Sequence, residues 1–154
     1  MAATDGGVNG GVPPHWHHTS FDLEIPSDVR HIESIVDLVQ RVCRELAFPA
    51  RQCSLNVPVA LSEALSNAIL RGNQRDPSKP VRVRFNSDGD RLVVEIVDQG
   101  AGFDLQRSTR DPTRPENLTR EDGRGLFLMK SLMDRIERYN QGGNVVRMVM
   151  NRHA

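Results

Sequence analysis

Covalent staples, net charge and long apolar runs are all scarce in this chain, and each scarcity removes a class of function. Only two cysteines occur in 154 residues, Cys43 and Cys53, and they form no C-x-x-C pair. They read as ordinary thiols in a reducing cytoplasm. Lys and Arg total 20 and Asp and Glu total 20, for a formal net charge of zero. No overall field therefore draws the chain to nucleic acid. No apolar run approaches the roughly 20 residues of a membrane-spanning helix, and the Gly-rich, polar N-terminus offers no apolar segment for a secretory signal. A cytoplasmic protein with no direct nucleic-acid or membrane partner is expected. The 38% hydrophobic and 26% charged content is ordinary for a globular domain, and the length suits one such domain with a real core.

Residues 1–18 read as a flexible tail and residues 19–154 as the domain, because the tail has few apolar side chains to bury. His15, His17 and His18 surround Trp16 without a Cys or carboxylate nearby, so a strand lead-in fits them better than a metal site. Phe21, Leu23 and Ile25 alternate with polar residues, the mark of a strand with one buried face. Pro26 stops it, and Ser27 is the expected N-cap of a helix carrying Val29, Ile32, Val36, Val39, Cys43 and Leu46. A second helix is expected over about 56–71. Pro58 cannot sit deep inside it, so residues 51–55 form a separate turn or a kinked lead-in. Two strands follow around Val81–Phe85 and Leu92–Ile96, joined by a polar turn. Residues 104–123 are polar and aperiodic, the composition of a functional lid. A helix over about 125–134 and a hairpin over 135–150 complete the order. That order predicts an α+β, two-layer sandwich with helices on one face of a mixed, mostly antiparallel sheet.

Three local signals carry chemistry. Glu63 and Asn67 lie four apart, on one face of the second helix. An amide oxygen suits Mg²⁺, and a neighbouring carboxylate is able to take a hydroxyl proton; a solvated helix face is the plain alternative. Asp98 ends an apolar strand and is followed by Gly100 and Gly102. A carboxylate there accepts a hydrogen bond from an exocyclic amine such as that of adenine, and glycines allow close backbone approach; a plain turn is the alternative. Gly123, Arg124, Gly125 and Leu126 open a helix whose free N–H groups suit phosphate; a hinge is the alternative. No Lys-Ser/Thr follows, so this is not a Walker A loop, and no strand leads into it as in a Rossmann unit.

Taken together, the E-A-L-S-N helix, the D-Q-G-A-G strand end and the D-G-R-G-L helix start resemble the N, G1 and G2 boxes of the GHKL ATPase superfamily. The chain is most similar to its small anti-sigma-factor serine kinases over residues 19–152. The resemblance also takes in I-P-S-D at Ile25–Asp28, S-L-M-D at Ser131–Asp134 and the final G-G hairpin. It implies the Bergerat-type ATPase fold and a protein serine/threonine kinase using ATP and Mg²⁺. In such a kinase Asn67 holds the metal, Glu63 is the catalytic base and Asp98 binds adenine. Gly100 and Gly102 shape the pocket, and Gly123, Arg124, Gly125 and Leu126 cover the phosphates. It further implies an anti-anti-sigma antagonist as the phosphorylated partner, a sigma factor to be sequestered, and a possible homodimer. Arg71 stands where many relatives carry histidine, which leaves room for an ATP- or ADP-gated binding switch that transfers nothing.

Overall fold

The computed structural model describes residues 18–100 and 121–153. The alternation read in the first segment forms strand β1, Thr19–Ile25. A short 3₁₀ turn, Val29–His31, leads into helix α1, Ile32–Glu45. The expected Ser27 cap is a correction. Asp28 caps the 3₁₀ turn, accepting from the Arg30 N–H, and the Arg30 guanidinium holds its carboxyl well below the usual carboxylate range. Ser27 is instead buried, accepting from Asn73 Nδ2 at 2.9 Å and donating to the Lys79 carbonyl. Val29, expected on the apolar stripe, is exposed because the stripe begins only with α1.

Helix α2 is Val57–Asn67, entered through a π-helical turn, Gln52–Asn56, and left through another, Ala68–Gly72. Pro58 follows directly on the π-helical turn, in which the Val57 N–H reaches back to the Gln52 carbonyl, and this wider turn accommodates the missing N–H. The kinked lead-in is thus the one found. Strands β2, Val81–Ser87, and β3, Arg91–Asp98, make the first hairpin. Helix α3 spans Glu121–Leu132, and strands β4, Arg135–Asn140, and β5, Asn144–Asn151, make the second hairpin. The start of α3 is a second correction. The helix begins four residues before the expected position, so the glycines lie within its first turns rather than ahead of it.

The sheet order is β1-β2-β3-β5-β4, and every described pairing is antiparallel, more uniform than the mixed sheet expected. One sheet face buries Val83, Phe85, Val94, Ile96, Met148 and Met150 beneath the helices. Val39 and Cys43 of α1, Leu61 and Leu65 of α2, and Leu126 and Met129 of α3 close over them. Each fully buried Leu contributes about 1.5–3 kcal/mol. The period-2 and period-3.6 patterns therefore meet in one core. On the opposite face Asp22, Arg84, Glu95, Arg147 and Glu137 pair across neighbouring strands. Hydrogen bonding from Arg147 lowers the Glu137 pKa. This architecture leaves α2 lying between α1 and α3, with its C-terminal end over the ends of β3 and β5.

Candidate active site

Helix α2 brings Glu63 and Asn67 to one face, both half-buried, while Ala64 and Leu65 between them point into the core. Helix α3 runs antiparallel to it. Asn56 Nδ2 donates to the Leu132 carbonyl at 2.8 Å, and at the other end Gly125 lies against the Glu63–Asn67 pair. A Cβ added at Gly125 would stand 2.8 Å from Glu63 Oε1 and 3.3 Å from Asn67 Nδ2. The glycine therefore decides how closely α3 approaches the polar pair.

The π-helical turn carries the chain on to Gly72, which meets the end of β3 backbone to backbone. A Cβ on Gly72 would fall 2.4 Å from the Asp98 carboxylate, and one on Gly100 would fall 2.1 Å from the Gly72 carbonyl oxygen. A larger residue at Gly100 would have to move the Gly72 backbone, and one at Gly72 would displace the Asp98 carboxylate. Asn73 fixes the junction. It is 1% exposed, its Oδ1 accepts the Gln99 N–H at 2.6 Å, and its Nδ2 donates to Ser27 and to the Lys79 carbonyl. Asp98 is itself 9% exposed. Its Oδ1 accepts from the Gly100 N–H and from Asn144 Nδ2, each at 2.8 Å. Asn144 also donates to the Gly100 carbonyl at 3.1 Å, and it faces Asp98 in the β3–β5 register.

These groups enclose a cavity of about 200 Å³, lined among others by Asn67, Arg71, Asp98, Met129, Arg138 and Asn144. It has an apolar floor and a few convergent polar groups, the usual make-up of a small-molecule site. A larger concavity of about 490 Å³ lies on the outer sheet face. Its central charges, Asp22, Arg84, Glu95 and Arg147, are already paired with one another, so the smaller cavity is the better candidate.

Of the residues expected from sequence, Asn67 and Asp98 line this cavity, and Gly100 braces Asp98. Glu63 is not in its wall but lies next to Asn67, against Gly125. Arg124 is exposed, and Leu126, 2% exposed, is a core residue. Gly123 lies in the first turn of α3. Gly102 and residues 104–120 of the expected lid lie outside the described residues, while 121–123 are helical. Sequence reasoning missed Asn144 and Arg138, and it took Asn73 only as a helix stop. Asparagine directly after the Gly142-Gly143 turn was the one signal for Asn144.

Residues 25–150 match the family described as the histidine kinase-like ATPase domain, and the chain belongs to it. The serine-protein kinase RsbW of Oceanobacillus iheyensis is 33% identical over 133 residues, covering 83% of this chain and 84% of that protein. RsbW of Bacillus subtilis is 27% identical over 133 residues, covering 83% and 82%. The resemblance read from the three motifs is therefore shown, and the chain is a protein serine kinase of this family. Its fold also matches the crystal structure of the RsbU and RsbW domains of Rv1364c from Mycobacterium tuberculosis. The TM-score is 0.61 at 10% identity, covering 86% of this chain and 32% of that one, a likeness of fold. No helix among the described residues is long and apolar enough to cross a membrane.

Proposed function

We propose that this kinase binds Mg-ATP with the adenine in the Asp98 cavity and transfers the γ-phosphoryl group to a serine or threonine of an anti-anti-sigma antagonist. The observation that carries the reading is the continuous wall from Asp98 through Gly72 to Asn67, with Glu63 outside the wall but one turn along the same helix, so that a base-binding end adjoins a transfer end. Asp98 accepts from the exocyclic amine of adenine. The Asn67 amide oxygen, at the edge of the cavity, fits Mg²⁺, a hard cation that takes few protein ligands and completes its shell with phosphate oxygens and waters. Asn67 would hold the ion, which neutralises phosphate charge when bound. Glu63 takes the proton of the acceptor hydroxyl as its oxygen bonds to phosphorus and the bond to the ADP oxygen breaks. On the resemblance, Gly123, Arg124 and Gly125 cover the phosphates from the first turns of α3, where only the N–H groups that open the helix are free to receive an anion. Sequestration of a sigma factor and a homodimer complete the reading, on the resemblance to the anti-sigma-factor kinases.

Single-turnover phosphorylation of an antagonist, with nucleotide affinity measured in parallel, tests the two roles. Glu63→Gln is expected to keep most of the affinity and to slow transfer by about 10²–10⁴-fold. Asn67→Ala is expected to impair both Mg²⁺-dependent binding and transfer. Transfer at the wild-type rate by Glu63→Gln would show that another group is the base.

A further inference from the structure

The two cysteines, ten residues apart in sequence, meet in the core. Cys43 lies near the end of α1 and Cys53 in the π-helical turn before α2, with their Sγ atoms 2.8 Å apart. Both are buried, at 0% and 1% exposure. Even carbon atoms, smaller than sulfur, pack at about 3.5–4.0 Å, so this pair is closer than ordinary packing brings two sulfurs. The chain between them reverses at Ala47, whose φ is 61°. Arg152 holds that reversal from outside, donating to the carbonyls of Leu46 and Ala47. Both ends of a short loop are thus fixed with their thiols face to face, although each belongs to a different helical segment.

We propose that Cys43 and Cys53 are an oxidative modification site, at which a peroxide closes the dithiol to an intramolecular disulfide and ties α1 to the lead-in of α2. One sulfur, as thiolate, attacks an oxygen of hydrogen peroxide and breaks the O–O bond. A sulfenic acid results, and the released hydroxide takes up a proton as water. The second sulfur then attacks the sulfenic sulfur. The S–S bond forms, the S–O bond breaks, and the leaving hydroxide takes the second thiol's proton. In sum, two thiols lose two hydrogens and one peroxide becomes two waters. Burial, then the contact with Cys53, pushes the Cys43 thiol up from its ordinary range. Oxidation accordingly proceeds through local opening of the Leu46–Pro49 corner, and it is slower than at an exposed thiol.

The site stands apart from the nucleotide cavity, and its test needs no kinase activity. The reduced full chain is exposed to hydrogen peroxide, denatured, alkylated and analysed by intact mass and peptide mapping. Both alkylation sites should disappear together in a monomer that has lost two hydrogens. The map should show a Cys43–Cys53 linked peptide that dithiothreitol releases. Because the link constrains the unfolded chain, the oxidised protein should also melt at a higher temperature, an increase lost on reduction and absent from Cys43→Ala and Cys53→Ala. Two freely alkylated cysteines at a peroxide dose that has already oxidised the methionines would overturn the proposal. So would a disulfide formed only between chains, or a linked form that melts lower than the reduced one. The wild-type mass measurement decides the chemistry even if a cysteine variant fails to fold.

Discussion

Asp98 and Asn144 hold each other, and replacing them one at a time separates charge from positioning. Asp98→Asn keeps the shape but removes the charge offered to an exocyclic amine. A charge-assisted hydrogen bond is worth about 1.5–3 kcal/mol, so adenine nucleotide affinity is expected to fall roughly ten- to hundredfold. Asn144→Ala leaves the carboxylate in place but removes the amide that donates to Asp98 and to the Gly100 carbonyl. A loss of about tenfold is expected there, smaller than for Asp98→Asn, because the carboxylate keeps its charge and its Gly100 N–H and loses only this brace. Titration with a fluorescent ATP analogue checks both, and equal affinity in wild type and Asp98→Asn would contradict the adenine assignment. Residues of these two kinds differ in how far they show in sequence. Glu63, Asn67 and Asp98 stand out because helical spacing and a strand end are local features. Asn144 and Asn73 act through partners dozens of residues away, across strand pairings that local periodicity does not encode. Leu126 was misleading for the same reason, since its burial depends on where α3 packs.

Among the elements, α1 is held at its C-terminal end by a residue about a hundred positions later. Arg152 donates to the carbonyls of Leu46 at 2.8 Å and Ala47, and to Gly89 of the β2–β3 turn at 2.7 Å. Its guanidinium also lies 4.3 Å from the centre of the Phe48 ring. Terminal helix carbonyls have no partner within the helix and favour a cation, and the aromatic face adds a cation–π contact. Arg152→Ala is therefore expected to cost about 1.5–3 kcal/mol. Arg152→Lys should recover only part of this, because an ammonium lacks the planar fork that reaches three carbonyls. Urea melts of the three proteins measure the difference, and an unchanged midpoint in Arg152→Ala would contradict the anchoring role. Strands were the elements most legible in sequence, since their alternation survived in β1, in β2 and in β3 as far as Ile96, beyond which Val97 and Asp98 are buried as well. Helix starts were not. Ser27 has the chemistry of a cap, but Asn73 and Lys79 engage it elsewhere. The two π-helical turns add residues that shift the helical phase at both ends of α2, which a constant 3.6-residue period does not register.

For the whole molecule, the order of elements was enough to place helices on one face of a sheet, but not to insert β5 between β3 and β4. That insertion brings Asn144 to Asp98 and lets five elements, α2, β3, α3, β4 and β5, share the cavity wall. A ligand in such a cavity binds the folded chain and not the unfolded one, so nucleotide and fold stability are linked. At a free ligand concentration of about 100 times Kd the stabilisation is about 2.7 kcal/mol. For a chain of this size each kcal/mol raises the melting temperature by about 2–4 °C, so Mg²⁺ with a non-hydrolysable ATP analogue should raise it by roughly 5–11 °C. The variants divide this effect. Asp98→Asn at the same ligand concentration should lose about half of the shift or more, because a ten- to hundredfold weaker Kd leaves about 1.4–0.4 kcal/mol. Glu63→Gln should keep most of it, because a general base acts only once the acceptor hydroxyl is reacting. Melting curves of the three proteins, with and without ligand, provide the measurement. If wild type shows no ligand-dependent rise, the cavity is not the nucleotide site. If Glu63→Gln loses the shift as fully as Asp98→Asn, Glu63 belongs to binding rather than to transfer, and the division of labour along α2 is refuted even though the kinase assignment stands.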